Sequence, residues 1–118
     1  MALSRDEILG ANDLPTRVVV VPQWGGEVLI RTMDGAQREE LEKRISAFKD
    51  TKSVSASSAV RAVAVVMCCC GEGGEPLFTA ADTAALAKKS GAALDLVFDS
   101  ILEHNGMTKR AAEELEKN

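Results

Sequence analysis

Four consecutive valines, Val18 to Val21, lead into "PQWGG", and a second apolar run, "EVLIR", follows. Two β-branched runs around a short glycine-containing connection predict a β-hairpin with Trp24 near its turn. Pro22 has no N–H to give to a ladder, so it marks the end of the first strand or an edge. In the return strand, Glu27 to Met33, the positions Val28, Ile30 and Thr32 alternate with Leu29, Arg31 and Met33. Trp24 is then either a core plug folded back over the hairpin or an anchor offered to a partner.

Helical spacing governs much of the rest. Ser4 and Glu7 stand at capping-box spacing, which predicts a short helix over Arg5 to Leu9, ended by Gly10 and Asn12. Asp34 and Gln37 repeat that spacing ahead of "AQREELEKRISAFK", where Leu41, Ile45 and Phe48 form one narrow apolar stripe. Glu39 with Lys43 and Glu40 with Arg44 are i,i+4 pairs in the favourable order, each contributing roughly 0.2–0.5 kcal/mol. Thr79 with Asp82 starts a helix over "AADTAALAKK". Ser90 caps another, from Ala92 to about Asn105, with Gly106 at the position after its end. In that last helix Leu94, Val97, Phe98, Ile101 and Leu102 make the widest apolar face in the chain.

Three segments read differently. "DTKSVSASS", residues 50–58, is small and polar and predicts a flexible loop. "AVRAVAVVMCCC", residues 59–70, is apolar without a clear period. Its valines and cysteines point to a strand buried on both faces, while its length also allows a helix. "GEGGEP" is a turn signal, and "LFT" could pair back on that strand. Thr108 caps a highly charged final stretch, residues 108–118, expected to fray. No internal repeat appears.

The length of 118 residues sets one domain, residues 1–118, with a modest core. Aromatics are only 3% of the chain, so Val, Leu, Ile and Ala must fill that core. The pattern predicts an α+β domain: an N-terminal β-hairpin, room for a second strand pair, and three to four helices. A formal net charge of -4, with scattered Lys and Arg, argues against nucleic acid as a partner. No apolar run approaches the length of a membrane span. "MALSRDEILG" lacks a basic region followed by an apolar one, so no secretory signal is read and the protein is expected in the cytoplasm.

Candidate chemistry is sparse. Cys68, Cys69 and Cys70 are consecutive, which suits neither a disulfide framework nor a zinc site. Apolar neighbours and Glu72 disfavour a thiolate there, so the three read as small buried hydrophobes. His104 stands at a helix C-terminus, where a cation meets the helix dipole favourably. Asp95 and Asp99 lie one turn apart, without further ligands, and read as a solvated face. "GEGG" lacks the lysine of a phosphate loop and carries repelling glutamates. No catalytic, cofactor or metal residues are assigned.

Two blocks carry a resemblance. "VPQWGGEVLIRTMDGAQREELE" contributes Pro22, Trp24, Gly25 and Gly26, then Val28 to Arg31, then a charged helix. "RAVAVVMCCCGEGGEPLFTAADTAALAKKSGAALDLVFDSILEHNGMT" contributes an apolar run, a glycine/acidic turn, Leu77 to Thr79, Asp82 and a helix ending in Asn105 and Gly106. Together they resemble the tail assembly chaperones of long-tailed bacteriophages and prophages. One departure is "CCCGEGG", where that family pattern carries more acidic residues.

The resemblance implies a non-enzymatic protein of the host cytoplasm, absent from the finished virion. Such proteins bind the tape measure protein, keep it soluble and help the tail tube protein polymerise around it. A homo-oligomer is compatible with this role. The family often makes a longer product by ribosomal frameshifting, and an A-rich stretch could encode the C-terminal "EKN". On this reading Trp24, Leu94, Val97, Phe98 and Ile101 are the partner-binding candidates. Two rivals remain: a small thiol or redox protein using Cys68 to Cys70, and a structural tail protein.

Overall fold

The computed structural model describes residues 2–47 and 57–107. Its helices are α1 (Arg5–Leu9), α2 (Gly35–Ser46), α3 (Ser58–Cys68), α4 (Thr83–Ala87) and α5 (Gly91–His104). Its strands are β1 (Thr16–Val21), β2 (Gly26–Arg31) and β3 (Cys69–Cys70), in one antiparallel sheet of order β1-β2-β3. The small α+β class follows the hydrophobic pattern, and the hairpin forms where the valine run and the "EVLIR" run placed it. A 3-10 turn, Pro22–Trp24, joins its strands, and Gly25 closes the turn at φ 70, a conformation natural to glycine. Phe48, residues 50–56 of the polar loop and the charged stretch 108–118 lie outside the described residues.

Residues 59–70 correct the strand reading. They form helix α3 almost throughout, and only Cys69 and Cys70 are extended. The Ser57 hydroxyl accepts from the Val60 N–H and sets the helix start. Val60, Ala62, Ala64, Val65 and Cys68 are all buried, so the helix is covered on more than one side and shows no outward polar stripe. The turn after it does pair back. Gly71 N–H donates to Glu75 O at 2.8 Å and Leu77 N–H to Cys69 O at 3.1 Å.

The core lies between one face of the sheet and the helices. Val19, Val21, Ile30 and Cys69 line the sheet's inner face, and Leu41, Ile45, Val65, Leu94, Val97 and Ile101 meet them from α2, α3 and α5. Each large aliphatic side chain contributes about 1.5–3 kcal/mol on full burial. Ala62, Ala64 and Ala93 are fully buried, and such small side chains let helices pack closely. Arg61 Nε sits 2.8 Å from Asp95 Oδ1, joining α3 to α5 by charge, although the N–H is not aimed for a directed hydrogen bond.

The end of α5 is tied to the strand exit by side chains. Asn105 Nδ2 donates to Ile101 O, while its Oδ1 accepts from the Met33 N–H, both at 2.8 Å. Gly106 follows at φ 70 and turns the chain away. Thr32 donates its hydroxyl to Pro15 O, and His104 Nε2 lies 3.0 Å from Thr32 Oγ1 and 3.1 Å from Pro15 O. The histidine thus acts as a clasp between helix and hairpin.

Helix starts follow local chemistry. Capping boxes form at Ser4 with Glu7, Asp34 with Gln37 and Thr79 with Asp82. Ser90 caps α5 through the Ala93 N–H. Asp34→Ala removes the cap of α2, and a loss of about 1 kcal/mol is expected in urea unfolding. Asp34→Asn should retain most of the cap, so equal losses in both variants would contradict the assignment.

Candidate partner-binding face

The hairpin register divides its side chains between two faces. Val18 pairs with Leu29, Val19 with Val28, and Val20 with Glu27. Directly opposed residues share a face, and alternate residues of a strand point to opposite sides. Val19, Val21 and Ile30 face the core and are buried. Val18, Val20 and Leu29 therefore point the other way. Leu29 also pairs with Cys70 on β3, which extends the outer face by one thiol.

This outer face carries exposed apolar surface. Val18 is 52% exposed and Val20 64%, and Leu77 beside them is 54% exposed. A groove of about 340 Å³ runs over the face. Val18, Leu29, Cys70 and Leu77 supply apolar lining, and Glu27 and Glu72 supply the acidic part. Arg31 donates to Gly74 O at 3.2 Å, which holds the glycine turn against β2. Leu3, Ile8 and Leu9 on and beside α1 are exposed as well, and α1 has no buried residue.

The candidates read from the sequence lie elsewhere. Leu94, Val97, Phe98 and Ile101 are buried in the core, where they pack α5 against the sheet and α3. Their wide apolar stripe is therefore satisfied within the chain. Trp24 is half-buried and packs against the same core from the hairpin turn. The sequence pattern alone does not single out Val18, Val20, Leu29 and Leu77. Their signal was the unbroken valine run: when alternate residues enter the core, the others must face outward.

The groups that could support chemistry are placed unfavourably for it. Cys68 and Cys69 are buried, and burial pushes both thiols up from 9.0 to about 12. Cys70 is also raised, chiefly by burial, although Arg31 beside it pulls the other way. His104 is committed to Thr32 and Pro15, and Asp95 to Arg61. Among the described residues no three His, Cys, Asp or Glu side chains converge to hold a metal ion, and no helix is long and apolar enough to cross a membrane. Among the described residues the arrangement offers a surface for contact and no assembled nucleophile.

No family model matches the chain, and no curated protein sequence matches it. Its fold is similar to the solved structure of the tail assembly chaperone of bacteriophage HK97, with a TM-score of 0.54 at 15% identity. That likeness covers 81% of this chain and 88% of the other. At such low identity it is a likeness of fold.

Proposed function

We propose that this chain is a tail assembly chaperone that works by reversible protein contact through the outer face of its sheet. The observation that carries this reading is the fold shared with the HK97 protein over most of both chains. The outer face adds a physical basis: exposed aliphatic side chains in a groove, with glutamates at hand. Such a surface can hold an apolar helix or strand of a partner while the acidic exterior keeps the pair in solution.

The partner we assign is the tape measure protein, held soluble in the host cytoplasm until the tail tube protein polymerises around it. The chaperone then leaves and is absent from the virion. Co-expression with the tape measure protein from the same genome tests this. The soluble fraction of that protein should rise several-fold, and Leu77→Asp should remove the gain while leaving the circular dichroism spectrum unchanged. No gain with the unmodified chain would refute the proposal. Recovery of the protein in purified virions would favour a structural tail protein instead.

A further inference from the structure

Backbone accounting limits what the groove on the outer face can hold. Val18, Leu29 and Cys70 stand directly opposite one another on three neighbouring strands, so their side chains form a row that crosses the strands over about 10 Å. Leu77, whose N–H donates to Cys69 O, extends that row. Ladder hydrogen bonds lie in the plane of a sheet, and Leu29 on the central strand is paired with β1 on one side and β3 on the other. A segment laid along the row therefore meets side chains and no free backbone group. An extended segment would bury unpaired N–H and C=O groups of its own, whereas a helix satisfies them internally. Aliphatic side chains at i, i+4 and i+7 of a helix span about 10 Å, the length of the row.

Charge narrows the choice further. Glu27 and Glu72 are exposed at the groove, and among the described residues no basic side chain lines it. Arg31, opposite Thr16, lies outside the lining and donates to Gly74 O.

We infer that the groove takes a cationic amphipathic helix, with its aliphatic stripe on Val18, Leu29 and Leu77 and its lysines or arginines beside Glu27 and Glu72. The inference rests on the contact reading proposed above and adds the chemistry of the segment held. The two glutamates act as a selector. They attract basic flanks and repel acidic ones, while the apolar row is the same for both.

Three synthetic peptides of about 18 residues, mixed with the full chain, test this. One is a helix with a leucine stripe flanked by lysines, the second carries glutamates in place of the lysines, and the third is the lysine peptide broken by a central proline. In calorimetry the lysine helix should bind at least about 10-fold more tightly than its glutamate twin. It should also outbind the proline peptide and slow the modification of Cys70, which lines the groove. Glu27→Lys with Glu72→Lys should reverse the preference between the lysine and glutamate helices. Asp99→Lys with Glu39→Lys makes the same change of net charge at exposed sites on α5 and α2, on the other side of the sheet, and should preserve it.

Equal binding of the lysine and glutamate helices overturns the inference. So does a proline peptide that binds as tightly as the unbroken helix, a Cys70 left unprotected by the bound helix, or a preference that the remote pair of substitutions removes as fully as the groove pair. These peptides probe the groove without the tape measure protein. Solubilised tape measure protein with no peptide preference refutes this inference alone, and a peptide preference with no gain in solubility supports it while refuting the tape measure assignment.

Discussion

Ile101→Ala is expected to destabilise the protein by about 2–5 kcal/mol, a large part of what a small domain has to spare. Ile101 is fully buried on α5, among Val97, Leu102 and the inner face of the sheet. Truncation removes apolar contact and leaves a cavity that the clasped helix end cannot easily close. The His104 contacts with Thr32 and Pro15 and the Asn105 bond from the Met33 N–H hold the end of α5 to the strand exit. Urea unfolding followed by circular dichroism measures the loss. Val20→Ala, at a site 64% exposed, should change stability by less than about 0.5 kcal/mol. Similar losses at both positions would contradict the assignment of core and outer face. Phe98→Asp, suggested by the wide apolar stripe of α5, should unfold the protein, since Phe98 is only 6% exposed.

The second large effect concerns the thiols. With their folded values pushed from 9.0 to about 12, Cys68 and Cys69 keep a thiolate population roughly a thousandth of an ordinary one at about pH 8. A thiol reagent should therefore modify them at least about 1000-fold more slowly in the native protein than in urea, with burial slowing them further. Cys70, on the outer face, should react first of the three. Rapid native labelling of all three would restore the redox reading.

The same shift sets a pH dependence. Both thiols stay protonated in the folded chain while the unfolded chain ionises them near pH 9.0. Below that value the contribution to stability is fully present. It is lost as the pH rises toward about 12, at about 1.4 kcal/mol for each thiol for each pH unit. Replacing both residues with alanine should flatten this alkaline slope, at the cost of lower stability at neutral pH.

The elements most legible in the sequence were those decided locally. Ser4, Asp34, Thr79 and Ser90 each hold a helix start through atoms three residues away, so spacing alone revealed them. The hairpin was legible because alternation and a glycine connection act over a dozen residues. Residues 59–70 misled because a helix buried on several sides loses its polar stripe, while valine and cysteine suit either state. The placement of the candidate stripe has a related reason. Leu94, Val97, Phe98 and Ile101 show that a wide apolar stripe must be covered, but not whether this chain or another covers it. Val18 and Val20 became visible as surface only once the helices were seen to occupy one side of the sheet.

Trp24, wedged half-buried at the hairpin tip, is the chain's only tryptophan, and there is no tyrosine. All long-wavelength emission from the protein therefore comes from a single point beside the 3-10 turn. An optical signal can watch the hairpin alone, without a label, while circular dichroism follows the helices. Should the tip loosen before the helices melt, the two records would separate in time or in denaturant.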